Sequence, residues 1–224
     1  MSSVRTKTLD KLNTAEMIVE TLRADILQGK RQSKRPLKQD EIAAEFGVSK
    51  IPVREALSQL KTEGLVTFAP NRGAFVSALS PDDVDEIYTI RIALETVALA
   101  RAIPNLTIGD LNQAEAILAL IDQEKDITRW GELNWEFHTL LYAPANMPRL
   151  LNSVQTLHVN VARYLVIYLA GLDYQTVSQQ EHHAILQAVR QGDVDAATTL
   201  LKDHLKAASN KLITFLNQLD GERL

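Results

Sequence analysis

Residues 41–64, EIAAEFGVSKIPVREALSQLKTEG, restrict the fold of this chain more than any other stretch. They read as two short helices joined by a tight turn. Ile42, Ala43 and Phe46 give the first an apolar face, and Gly47 closes it where a positive φ is useful. Ser49 then offers its hydroxyl as an N-cap, and Pro52 falls in the first turn of the second helix, where a missing N–H does little harm. Val53, Ala56, Leu57 and Leu60 recur at helical spacing as the buried stripe. Lys50, Arg54 and Gln59 fall largely off it, and long basic side chains early in an exposed second helix suit the reading of DNA. An ordinary helical hairpin with a solvated charged face is the other reading. The next segment weighs against it: LVTFAPNRGAFVSAL holds two short strands, 65–68 and 74–77, about a turn at Pro70-Asn71-Arg72-Gly73. A helix-turn-helix with a hairpin directly after it is a winged helix, and Arg72 would sit at the wing tip beside the phosphates.

Charge divides the chain in the same place. Residues 1–79 carry 13 Lys and Arg against 9 Asp and Glu, whereas residues 80–224 carry 11 against 19. A basic head on an acidic body turns the head towards a polyanion. The run 30–38 is the densest, with Lys30, Arg31, Lys34, Arg35 and Lys38 and no acid. It reads either as a solvated loop or as a phosphate contact leading into the helix-turn-helix. The absence of cysteine excludes disulfides and thiolate chemistry. No apolar run approaches the roughly 18 residues of a membrane span, and the N-terminus lacks the apolar core of a secretory signal. A cytoplasmic protein with no membrane partner is expected.

The first ten residues read as disordered. Residues 15–28 form an amphipathic helix through Ile18, Leu22 and Ile26, which would back the helix-turn-helix. Beyond the wing, Ser80 and Pro81 open a purely helical region. Its helices are read over 81–103, 108–123, a segment through Tyr142, 149–170 stopped by Gly171, 174–190, and 194–219. In this region Asn134 and His138 are four apart, one above the other on a helix face. His182 and His204 lie roughly 15 and 18 Å either side of the turn at Gly192, so their rings can meet across an antiparallel hairpin. Such inward histidines are either metal ligands or the hydrogen-bonded residues of a polar pocket. Arg91 and Glu95 are also four apart, a spacing that by itself reads as a salt bridge. Arg163 and Tyr164 are weaker candidates for the same pocket, and His158 and His183 read as structural or exposed.

VSKIPVREAL, then EGL, then NRGAFV resemble the DNA-binding domain of the GntR family of bacterial transcription regulators, over about residues 10–79. Lys50 stands where that family usually has Arg, Ile51 where it has Thr, and Ser33-Lys34 replace its usual Pro-Gly. More loosely, IRIALE, EFH, EHHAI and DHL resemble the FCD domain of the FadR-type branch. The resemblance implies a DNA face of Lys38, Ser49, Lys50, Ile51, Pro52 and Arg54, with Arg72 and Gly73 on the wing. It implies a divalent metal, zinc or nickel, on His138, His182 and His204, with Asn134 standing where the usual ligand is Asp. It also implies that Arg91 faces the pocket and can grip an effector carboxylate.

The expected protein is therefore mainly α. A winged helix-turn-helix with a small β-hairpin wing (1–79) precedes an all-α antiparallel bundle of about six helices (80–224) for effector binding and dimerisation. It would be a homodimeric repressor on a near-palindromic double-stranded operator, answering to a small carboxylate. The alternatives are a metal-dependent enzyme with a DNA-binding appendage and a structural DNA-binder without effector. The enzyme is disfavoured by the lack of HExxH, of a glycine-rich phosphate loop and of an evident general base.

Overall fold

A computed structural model describes residues 2–169 and 174–221, with side chains over 14–162, 164 and 175–219. The chain divides into two compact units after Ala78. The first begins with α1 (Ser2–Leu27), longer than expected. Residues 2–14 contain neither Pro nor Gly, so nothing in them stops a helix. Ile18, Val19, Leu22 and Ile26 of α1 are buried and pack on α3 (Lys50–Thr62), whose buried side is Pro52, Val53, Ala56, Leu57 and Leu60. Arg23 fastens the two helices, donating from Nε and Nη2 to the Glu63 carboxylate at 2.9 and 2.7 Å.

Between them lies α2 (Gln39–Phe46), closed by Gly47 at φ 64°. Ser49 has the extended N-cap backbone of α3, but its hydroxyl accepts no capping bond. An N-cap oxygen bonds the N–H of the second or third helical residue; Pro52 removes the third of these donors, and the Ile51 N–H is not engaged. The wing is β2 (Val66–Ala69) and β3 (Gly73–Val76), joined antiparallel with Thr67 opposite Phe75.

A third strand, β1 (Pro36–Leu37), pairs with the outer side of β3, in the order β1-β3-β2. Two residues are too few for an alternating pattern to reveal them. Beyond β1 the Lys34 N–H donates to the Val76 carbonyl at 2.9 Å, and Val76 returns its own N–H to Arg35 at 3.0 Å. The basic run is thus tied to the wing. Lys34 reaches this bond at φ 64°, a conformation that favours glycine, and it stands where the resembled pattern has Gly.

The second unit contains, among the described residues, the six α-helices expected: α4 (Pro81–Ala102), α5 (Ile108–Ile121), α6 (Ile127–Tyr142), α7 (Pro148–Leu169), α8 (Tyr174–Arg190) and α9 (Val194–Gly221). The expected stop of α7 at Gly171 lies outside the described residues. Ser80 and Asp83 form a reciprocal capping box at the start of α4, with Pro81 in the first turn, and Thr107 with Asp110 does the same for α5. α4 is central, packing against α6, α7 and α9. Its buried seam runs Val84, Tyr88, Arg91, Glu95, Ala98, Leu99 and Ala102, so two charged residues occupy a face that is otherwise core.

Two stability measurements check this reading. Lys34→Gly should raise stability by up to about 1 kcal/mol, since a side chain at this φ costs about 1–2 kcal/mol and glycine's greater freedom when unfolded returns part of it. A fall in the urea midpoint would contradict the strain. Leu99→Ala, at a site with no solvent access, should cost about 2–5 kcal/mol.

Candidate metal centre and nucleic-acid interface

The turn at Gly192 (φ 69°) folds α9 back on α8, so His182 and His204 face each other with ring centroids 4.7 Å apart. His138 of α6 joins them at 5.1 and 5.2 Å. One nitrogen from each ring lies within 4.8 Å of the others, and all three residues are buried.

Each ring is oriented from behind, and the partners determine which nitrogen is which. Gln179 donates its amide N–H to the Leu118 carbonyl at 3.0 Å, which turns its oxygen towards His182 Nδ1 at 3.1 Å. That Nδ1 must carry the proton. His204 Nδ1 lies 2.8 Å from a Glu181 carboxylate oxygen and must carry one too. The Tyr142 hydroxyl gives its proton to Glu95 at 2.8 Å, so His138 Nδ1, 3.1 Å from the same hydroxyl, is the donor there. In the neutral form of each ring this leaves Nε2 with the lone pair, the arrangement that an outer shell imposes on metal-binding histidines.

Two atoms test the fit. His182 Nε2 is buried without a hydrogen-bond partner, and so is Asn134 Oδ1, one helical turn before His138. Unmatched buried polar atoms are uncommon. Three imidazoles and an amide oxygen suit a borderline ion such as zinc or nickel. The residues fit the group.

Asn134, His138 and His204 line a cavity of about 30 Å³ together with Tyr88, Arg91, Trp130, His158 and Ser178, room for about two water molecules. Arg91 is not the weak surface pair that i,i+4 spacing suggests. Its Nε donates to Glu95 at 2.7 Å with both side chains buried, and its guanidinium carbon lies 4.8 Å from the Tyr88 ring centroid. Burial works against the Arg91 charge, but the neighbouring Glu95 outweighs it and holds the pKa above the ordinary value. Glu95 has one oxygen on Arg91 and the other on Tyr142, and it does not line the cavity.

Tyr164 also stands apart from the cavity, and its hydroxyl accepts the Leu79 N–H at 3.0 Å. The Arg163 side chain lies outside the described residues. His158, expected to be structural or exposed, is buried in the cavity wall, stacked flat on Trp135 at 3.7 Å with its Nδ1 unpartnered. Its isolated place on α7 gives no spacing from which to foresee this. His183 is half exposed beside Asp122.

On the head, Lys38, Ser49, Lys50, Ile51 and Arg54 are exposed around the start of α3, and Arg72 and Gly73 at the wing turn. Ile51 is 53% exposed. Pro52 is buried, so it shapes the start of the helix instead of presenting a surface. The basic run is partly neutralised: Lys30 and Arg31 pair with Asp25, Arg31 also with Glu45, and Lys38 with Glu41. Lys34 and Arg35 have no carboxylate partner among the described residues.

Burial holds His138, His158 and His182 well below the ordinary imidazole value, with neighbouring histidines adding to this for His138 and His182, and Arg91 for His158. The unfolded chain therefore binds more protons than the folded one below about pH 6.5. With metal chelated, stability should be constant above that value and fall as pH drops through it, by up to about 1.4 kcal/mol per pH unit per histidine. Thermal midpoints from neutral to mildly acid pH in a chelator check the sign. Arg91→Ala, which leaves Glu95 buried alone, should cost about 3–5 kcal/mol in urea unfolding.

Known sequences and structures agree with this architecture. Residues 14–76 match the family described as bacterial regulatory proteins, gntR family, and residues 86–207 match the FCD domain. The HTH-type transcriptional repressor RspR of Escherichia coli is 28% identical over 200 residues, 88% of each chain. The HTH-type transcriptional regulator YdhC of Bacillus subtilis is 30% identical over 84% of each. A GntR family member from Pseudomonas syringae pv. tomato is 32% identical in its crystal structure, covering 94% of this chain and 89% of that one with a TM-score of 0.61. A Rhodococcus protein solved as a putative GntR regulator shares the fold, with a TM-score of 0.76 at 24% identity, covering 89% and 97%. No helix among the described residues is long and apolar enough to cross a membrane.

Proposed function

Because the chain belongs to the gntR family of bacterial transcription regulators and carries an FCD domain after its DNA-binding domain in the sequence, we propose that it is a ligand-responsive repressor. It acts as a cytoplasmic homodimer on a near-palindromic operator and is retuned by a small carboxylate. The observation that carries this reading is the buried cluster of His138, His182 and His204, two of which line a cavity together with Asn134 and Arg91. RspR is named as a repressor, as is a probable D-xylose utilization operon repressor of Paenarthrobacter nicotinovorans, 27% identical over 90% of this chain and 89% of that one. Sensing, not catalysis, is the role that such relatives favour.

In this reading α3 enters the major groove. Arg54 contacts base edges, Lys50 a base or phosphate, and Ile51 offers an apolar surface such as a thymine methyl recognises. Lys38, Ser49, Arg72 and Gly73 contact the backbone and fix the register. Two heads in a symmetric dimer occupy successive grooves, because one half-site gives little specificity.

His138, His182 and His204 would hold a divalent ion with Asn134 as a neutral oxygen ligand. Such an ion, when bound, supplies a positive charge that this donor set leaves uncompensated. Neutral imidazoles and an amide cannot match it where Asp would, so the cavity favours an anion. Arg91 remains charged in the cavity wall, with its Nε fixed by Glu95, and offers the carboxylate a second grip. For the operator to be released, the effector must bind one spacing of the two heads better than the other.

Metal content of the purified protein, then thermal shift with zinc or nickel and small carboxylates, separately and together, tests this. Metal and carboxylate should each tighten the other by the same factor. Metal should be lost as pH falls through the imidazole range, since a protonated ring cannot ligate. His204→Ala should remove both responses and leave operator affinity nearly intact, whereas Asn134→Asp should tighten the metal and lessen the need for an anion. A protein that takes up no metal at neutral pH, yet still answers its effector, would falsify the metal part of this reading. Sedimentation as a single chain at micromolar concentration would remove the dimer.

A further inference from the structure

Three consecutive residues open α2, and each holds one of the cations that surround the start of α3. Gln39 Oε1 accepts from Arg54 Nε at 3.0 Å, Asp40 Oδ1 lies 2.6 Å from Lys50 Nζ, and Glu41 Oε1 lies 2.7 Å from Lys38 Nζ. These pairs are exposed, with the Asp40 side chain 76% accessible beside a Lys50 that is 51% accessible. Exposed pairs of this kind add little to stability. Their place on the recognition face is therefore better explained by what they do to an approaching duplex.

We propose that the 39–41 turn sets the ratio of sequence-specific to sequence-independent DNA binding, with Asp40 and Gln39 acting in different ways. The inference rests on α3 being the DNA-reading helix. Sequence-independent affinity comes from cations that replace counterions on phosphates. A lysine already matched by Asp40 brings no net charge, and a phosphate that reaches Lys50 meets the Asp40 carboxylate at the same place. Lys50 is thereby withdrawn from the non-specific term.

Arg54 is treated differently, because Gln39 is neutral and takes only Nε. The outer guanidinium edge, which makes paired bonds to guanine O6 and N7, stays available in a fixed direction. One turn thus mutes a charge that would bind any DNA and steadies a fork that reads a base. Lys34, Arg35 and Arg72, which no carboxylate engages among the described residues, are left to supply the sequence-independent phosphate contacts, while the matched Lys38 and Lys50 act only in the specific complex. Arg72 instead lies over the Phe75 ring at 5.4 Å. Asp40 and Gln39 are positioning residues in this scheme.

Wild type, Asp40→Asn, Lys50→Met, the double variant and Gln39→Ala would be titrated by fluorescence anisotropy. The probes are a random-sequence duplex and the duplex that wild type enriches from a randomised pool. Asp40→Asn should bind the random duplex more tightly, with a log–log salt slope steeper by about 0.9 per bound head. An extra factor of about 3.5 in affinity should then vanish between about 50 and 200 mM salt. Its thermal midpoint should not move. Lys50→Met should change the random-duplex slope less in the wild-type background than in the Asp40→Asn background, where it should abolish the gain. Gln39→Ala should lose several-fold on the enriched duplex and nothing on the random one. An unchanged slope for Asp40→Asn overturns the inference, as does a changed base preference at one position without a change in slope, which would make Asp40 a base reader. If wild type enriches no duplex at all, the DNA reading of α3 itself fails, and this inference with it.

Discussion

The buried pair of Arg91 and Glu95 is the constraint on which the helical unit depends. Two charges on a core seam cannot be left to water, and their mutual attraction alone rarely offsets the loss of hydration. The remaining capacity of Glu95 is met by the Tyr142 hydroxyl, and that hydroxyl in turn accepts from His138. One carboxylate on α4 therefore fixes a tyrosine and a histidine on α6, and through them the direction of a lone pair in the cavity. Replacing such a chain by apolar side chains would often stabilise a core, so its presence here speaks for the cavity and not for folding.

Much of the molecule is legible in the sequence because its signals are local. The stripe of Val53, Ala56, Leu57 and Leu60 gives a helix and its buried side, Gly47 gives the turn, and Ser80-Pro81 gives the start of α4. The meeting of His182 and His204 comes from counting residues on either side of Gly192, since helix rise turns separation into distance. Features that depend on partners far along the chain are hidden. β1 has only two residues and exists because β3 offers it a free edge. The burial of Arg91 and Glu95 depends on the helices that surround α4, and spacing alone suggests a surface pair. Ser49 makes no side-chain cap bond, and Pro52 removes one of the two N–H donors it could have used, a conflict visible in the sequence once the two positions are considered together.

The two units use charge in opposite senses. In the helical unit a cation is retained deep in a cavity wall, where low polarity magnifies what it can do for an anion. On the head, cations are exposed and several are matched by neighbouring acids, so the excess of Lys and Arg counted along the sequence overstates what reaches a phosphate. Net charge sets the long-range pull on DNA, while pairing decides which contacts survive at close range.

The stack of His158 on Trp135 has a practical side. The chain contains two tryptophans, Trp130 and Trp135, and both belong to α6. Trp130 lines the cavity, and Trp135 lies flat against a histidine that lines it. The DNA-binding head has no indole at all. Intrinsic ultraviolet emission from this protein is therefore a native optical probe of a single chamber, already installed and needing no dye.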